Sequence, residues 1–293
     1  MRTNSARIAF LFAIVFTPLF AQDEDAGERG FLFHERILGS GSSLGLIAKF
    51  DTAFGYQFNR YLAVEGGVPF YAVNPSSTTS PVGGARAAAG IGNAYVDLRL
   101  SLLNPAVNYT TALSAAAPTG DKSKGFSTGH MTYDWSNLFD RRFGRLTPFV
   151  NLGIANTITD TPFFVRPFSS FGLVTHVEGG ASYKLARIFS AGASIYGIEP
   201  SGQQTVFSKL IQGKSQNAGA GGRHGHQGVF ESSGETVGNA DIARDHGFSA
   251  WLSARLSQYM ALETGYSHSV QYALNSVFFG IDFNLSPLMR KHF

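Results

Sequence analysis

Histidine and serine are the residues through which this chain could do chemistry, and their spacing decides which kind. Arg223-His224-Gly225-His226, with His246 farther on, sets two imidazoles one residue apart, a pattern that can hold a metal. No carboxylate or third histidine stands at a fixed spacing from them, so neither a metal nor a cofactor is expected. Ser267-His268-Ser269 puts a nucleophile next to a base. Neighbours on a strand point to opposite faces, however, which defeats direct proton transfer. There is no Gly-x-Ser-x-Gly elbow, His-Glu-x-x-His helix or phosphate-binding glycine loop. Gly39-Ser40-Gly41 lacks the Lys-Ser/Thr that would follow in such a loop and reads as a turn. No catalytic residue is expected.

The charged residues show a different pattern, because they recur every second position among small and polar neighbours. Lys49, Asp51, Glu65, Asp97, Arg99, Asp134, His176, Glu178, Lys184, Arg255, Glu263 and Asp282 all fall on one face of period-two segments. From Leu44 to Phe58 the even positions (Leu44, Leu46, Ala48, Phe50, Thr52, Phe54, Tyr56, Phe58) are apolar, and the odd ones, Ile47 apart, are small or polar. The same alternation returns around Leu62–Phe70, Ala94–Leu102, Val107–Leu113, Leu173–Leu185, Phe248–Leu256 and Val277–Leu285. The whole chain has 293 residues, of which 44% are hydrophobic and only 15% charged, with 34 Gly, 26 Phe and no Cys at a net charge of +3. Disorder and a disulfide scaffold are excluded by that composition. The absence of any Lys/Arg run argues against a nucleic-acid partner.

An uncharged aromatic face opposite a Gly-, Ser- and Asn-rich face describes strands between lipid and a polar lumen. The expected fold is all-β, an antiparallel up-and-down transmembrane barrel. Tight connections at Phe58–Arg60, Asn104-Pro105, Asp140–Arg145, Ala186-Arg187 and Ser257-Gln258 alternate with long ones at Asn74–Ala88, Thr119–Phe126, Thr157–Ser170, Glu199–His246 and Ser269–Asn275. Parity then requires a further strand over Phe31–Leu38, joined through Gly39-Ser40-Gly41, which brings the count to twelve. Arg2 and Arg7 precede an apolar stretch from Ile8 to Phe20, ending at Ala21 before the acidic Asp23-Glu24-Asp25. Residues 1–21 therefore read as a signal peptide, since the stretch is shorter than the roughly 17–25 residues a spanning helix needs. Residues 22–30 form a short periplasmic segment, and 31–293 a single barrel domain with a long outer loop over 203–246. In that loop Val206, Phe207, Leu210 and Ile211 form an apolar piece able to pack on the rim.

Gly66-Gly67-Val68-Pro69-Phe70, then Gly90-Ile91-Gly92-Asn93 before Val96-Asp97-Leu98, then Pro118-Thr119-Gly120-Asp121 with Gly125 and Thr128-Gly129, resemble the outer-membrane transporters found with meta-pathway phenol-degradation operons. The likeness covers about Ala63 to Asn156, with Asn93 where that family usually has Asp. It implies a porin-like barrel admitting small, often aromatic or apolar, molecules. Gly280, Phe283 and Leu285 resemble the C-terminal signal read by the outer-membrane assembly machinery. The expected setting is the outer membrane of a Gram-negative-type envelope, with the lipid bilayer, that machinery and a small-molecule solute as partners. The function expected is a non-enzymatic channel, with the charged residues above as pathway candidates. A surface barrel without transport is the alternative. An outer-membrane phospholipase is a weaker one, because His130-Met131-Thr132 is the nearest approach to its His-x-Ser spacing.

Overall fold

The computed structural model describes residues 29–77, 79, 85–158, 160, 165–212 and 229–287. Twelve long strands follow one another: β1 (Gly30–Ser42), β2 (Gly45–Gln57), β3 (Leu62–Pro75), β4 (Tyr95–Leu102), β5 (Asn108–Ala116), β6 (Thr132–Asp140), β7 (Leu146–Ala155), β8 (Val174–Lys184), β9 (Phe189–Pro200), β10 (Asp245–Arg255), β11 (Met260–Ser269) and β12 (Leu274–Asn284). Each pairs antiparallel with the next, and β1 also pairs with β12, from His34 opposite Asn284 to Ser42 opposite Ser276. The sheet thus closes on itself, the condition for strands to cross lipid with their backbone groups satisfied.

Period two fixes which side of the wall each residue occupies. On β2, Leu46, Phe50 and Phe54 are exposed while Ile47, Lys49, Asp51 and Ala53 are buried. The same parity leaves Leu98, Leu113, Trp135, Val150, Leu152, Ile195, Leu252, Val277 and Phe279 on the exterior. Aromatic contacts gather near the strand ends. Phe31 meets Tyr56 at 5.3 Å and Tyr109 meets Phe139 at 5.0 Å beside the short turns, while Phe248 meets Tyr266 at 6.0 Å toward the long loops. An apolar band between aromatic girdles is the surface a bilayer solvates.

Two connections depart from the expected pattern. Gly39-Ser40-Gly41 is not a turn; it lies inside β1, and the chain reverses at Ser43-Leu44. Gly39 is there for close approach, since a Cβ on it would fall 2.2 Å from the Phe279 ring on β12. Leu44 consequently turns inward and is buried, rather than facing lipid. The link from Ser269 to Leu274 is short, because Ala273 takes a left-handed conformation (φ 48°) that reverses the chain within Val270–Ala273.

The glycine-rich stretch before β4 makes a break in the wall. A short strand, Ala88–Ile91, pairs with the outer half of β3, and β4 then pairs with the inner half. Between them Asn93 is fully buried and its Oδ1 accepts the Gly120 N–H at 3.0 Å. Gly92 donates to the Pro69 carbonyl at 2.7 Å, where a Cβ would strike the Tyr71 ring at 2.7 Å. The expected signal peptide, the Arg223–His226 cluster and the last residues after Pro287 lie outside the described residues. The last strand ends at Asn284, ahead of Pro287.

Candidate functional site: a filled outer mouth above a charged lumen

Apolar loop residues that cannot face water must find a surface, and here they find the inside of the barrel. A three-stranded sheet of Phe168–Phe171, Gln204–Ser208 and Glu235–Gly238 forms from two of the long outer loops. Val165, Phe168, Val206, Leu210, Ile211 and Phe230 form one buried cluster with the wall residues Leu38, Ile47, Tyr71, Val73, Val174, Ile198 and Leu274. Phe168 stacks on Phe230 at 4.6 Å and 12°, and Tyr272 meets both rings edge-on. The sequence exception at Ile47 is explained by this cluster. A third loop joins it, where Phe126 stacks on Tyr71 at 5.4 Å. Gly125 packs so closely on the Ser208 carbonyl that no Cβ could be accommodated.

Buried charges pin this plug to the wall. Arg166 forms an ion pair with Asp245 at the outer end of β10, with side-chain exposures of 2% and 0%. Asp245 also accepts from Ser269 Oγ at 2.6 Å and Tyr196 Oη at 3.3 Å. Burial alone would lower the Arg166 pKa, but the Asp245 carboxylate beside it outweighs that and holds the guanidinium above its ordinary value. Burial, with the Asp245 charge second, likewise raises the Tyr272 phenol. Lys209 Nζ bonds Asp160 at 3.1 Å and the Arg166 carbonyl at 2.8 Å, and Val165 N–H bonds Ser40 Oγ on β1 at 2.8 Å. Arg166, Lys209, Asp160 and Tyr272 carried no sequence signal, being isolated residues in loops.

Below the plug the charged residues at inward register positions form separate groups. Lys49 pairs with Asp51 at 3.3 Å, and Asp51 accepts the Tyr95 hydroxyl at 3.0 Å. Arg99 lies 3.9 Å from Glu65 and donates to Gln57 at 3.3 Å, while Asp97 stands directly across from Glu65 in register. Glu263 pairs at 2.8 Å with Arg36, which faces Asp282 across the β1–β12 seam. Asp134 meets His176 at 3.2 Å, with buried Glu178 two residues along the same strand. Lys184 and Arg255 are half-buried near the inner rim, where Arg255 Nε donates to the Ser257 carbonyl at 3.4 Å. Arg36 escaped sequence reading because the alternation of β1 is weak. Ser136, Ser182, Ser190, Ser194, Ser249 and Ser253 line the inner face of β6 and β8–β10. Nearly all inward residues are buried, so the interior is largely filled; Arg99 and Glu263, at 14% and 13%, keep contact with solvent-sized space.

The chemistry-bearing motifs separate in space. Ser267 points inward to Ser249 at 3.0 Å, and His268 points outward to Asn275 at 2.8 Å. His130 stacks on Phe171 at 4.4 Å. Ser286 Oγ approaches His34 at 3.4 Å at the inner rim, where it also accepts the Phe33 N–H and ties the chain end to β1. Among the described residues no group of three His, Asp or Glu side chains is placed to hold a metal. A groove of about 530 Å³ is lined by the outward-facing Trp135, Leu152, Ile154 and Val177 together with His176, Ile198 and Asp245 of the wall.

No protein-family model and no curated protein sequence matches the chain. Among solved structures, the COG4313 outer-membrane channel from Pseudomonas putida F1 superposes with a TM-score of 0.55 at 10% identity, over 90% of this chain and 99% of that one. A KdgM porin in complex with disordered oligogalacturonate gives a TM-score of 0.50 at 7% identity, over 85% and 98%. The fold shared with these structures is a closed antiparallel barrel. With its girdled apolar exterior, the chain is an integral membrane barrel of the outer-membrane type.

Proposed function

We propose that this barrel is a gated, non-enzymatic outer-membrane channel for small molecules, whose outer mouth is closed in the conformation described. The observation that carries this reading is the plug itself. It is a folded apolar unit made of loop residues, held to the wall by side-chain packing and a few buried polar contacts while the wall is held by continuous ladders. Any solute entering from outside must pass Phe168, Phe230, Tyr272 and Tyr71, whose faces favour small aromatic or apolar solutes over hydrated sugars. The Gly/Pro pattern resembling transporters of phenol-degradation operons supports the same substrate class. Lumen carboxylates outnumber cations, so a moving plug would uncover a pathway that favours cations over anions. Residues 1–21 as export signal and Gly280–Leu285 as assembly signal complete the proposal.

Liposome swelling with solutes of graded size and polarity tests it. Phenol-sized aromatics are expected to enter faster than sugars, and shortening the connection between Pro200 and Asp245 to a turn should raise conductance in planar bilayers. A surface barrel without transport is the second reading, favoured by the filled interior. It is the correct one if neither the full-length protein nor the shortened form passes any solute.

A further inference from the structure

The two rims of the barrel differ in charge. At the long-loop rim both signs occur and pair: Arg244 forks onto Glu199 at 3.0 and 3.1 Å and bonds Asp241 at 2.7 Å, and Lys124 pairs with Asp121 at 3.2 Å. At the short-turn rim the exposed charges among the described residues are arginines, namely Arg29, Arg60, Arg141, Arg142, Arg145 and Arg187; the acid beside them, Asp140, is half-buried and accepts from Asn108 at 3.1 Å. Three of these guanidinium groups lie over the aromatic girdle: Arg29 over Tyr56 at 5.9 Å, Arg60 over Tyr61 at 4.6 Å and Arg141 over Phe143 at 4.7 Å. Ring stacking occupies a face of the guanidinium and leaves its edge donors directed away from the ring.

Four of the six sit together. The turns Arg141–Arg145 and Leu185–Ile188 are neighbours on the rim, and the Lys184 N–H bonds the Arg145 carbonyl at 2.8 Å, which sets the two turns side by side. Phe143, Leu146, Leu185, Ile188 and Phe189 around them are exposed on the lipid side. An arginine patch bordering an apolar girdle matches a phosphate joined to acyl chains, because guanidinium binds phosphate bidentately while the girdle takes the chains.

We propose that the Arg141/Arg142/Arg145/Arg187 patch is a binding site for anionic phospholipid headgroups of the periplasmic leaflet. The site is independent of whether any solute crosses the lumen. The test uses the full-length mature protein, purified in detergent, with defined cardiolipin, phosphatidylglycerol and phosphatidylethanolamine, and counts bound lipids by native mass spectrometry. Cardiolipin and phosphatidylglycerol should be retained over phosphatidylethanolamine, and Arg→Gln at all four positions should cut that retention by about tenfold or more. Arg→Lys at all four should keep only part of it, since an ammonium holds phosphate as a point charge without the bidentate fork, and Arg244→Gln on the opposite rim should leave it unchanged. Equal retention of phosphatidylethanolamine by the unaltered protein would overturn the proposal, whichever variants fold. So would undiminished cardiolipin binding in the fourfold Gln variant, or its loss in Arg244→Gln.

Discussion

Asp245 serves three donors at once, and only one of them is charged. Ser269 and Tyr196 belong to the wall, whereas Arg166 belongs to the plug. Asp245→Asn keeps the shape and removes the counter-charge, leaving a guanidinium that is 2% exposed without its partner. Breaking one side of a buried ion pair costs about 3–5 kcal/mol. The loss falls on the plug, since β10 remains held by its ladders to β9 and β11. Asp245→Asn is therefore expected to raise single-channel conductance several-fold and to open Arg166 and Lys209 to trypsin. Replacing both partners with apolar residues, as in Arg166→Met with Asp245→Leu, should restore closure, because neither charge then remains stranded. A conductance in Asp245→Asn equal to that of the unaltered barrel would sink the latch.

Neighbouring strands approach closely where a glycine lies under a large ring. A Cβ on Gly192 would sit 2.2 Å from the Trp251 ring, and one on Gly265 would sit 2.4 Å from the Phe278 ring. Both rings point inward and are buried, so they have no room to move aside. Gly192→Ala is expected to cost about 1–3 kcal/mol, read as a lower temperature for loss of the heat-modifiable gel shift. Gly41→Ala, where the nearest atom is Leu46 Cδ1 at 3.9 Å, should leave that temperature nearly unchanged. The same glycines mark the limit of what sequence can tell. Period two is a local property, so the face carrying Lys49, Glu65 or Glu178 could be read directly, while the strand number followed from the alternating connections and parity. A strand glycine and a turn glycine look alike, and what distinguishes Gly39 is the ring of Phe279, far along the chain. The plug was hidden for the same reason. Val206, Phe207, Leu210 and Ile211 stood out as apolar, but their partners are supplied by residues on separate strands, and no spacing encodes that meeting.

For the whole molecule, the exterior has depth. Ile195 is 70% exposed in the middle of β9, while Leu103 lies at 59% in a short turn at the inner rim. In water both would be ordinary surface positions where a charge is harmless. Within a bilayer they differ, because an arginine at the midplane costs about 2–4 kcal/mol and near the interface about 0–1. Ile195→Arg should therefore lower the unfolding midpoint in lipid vesicles markedly, and Leu103→Arg should leave it almost where it was. In short-chain detergent, which deforms around a charge, the gap between the two should shrink. Equal effects of the two substitutions in vesicles would mean that no lipid surrounds β9. The closed ring would then need another explanation for the exposed apolar residues around its circumference.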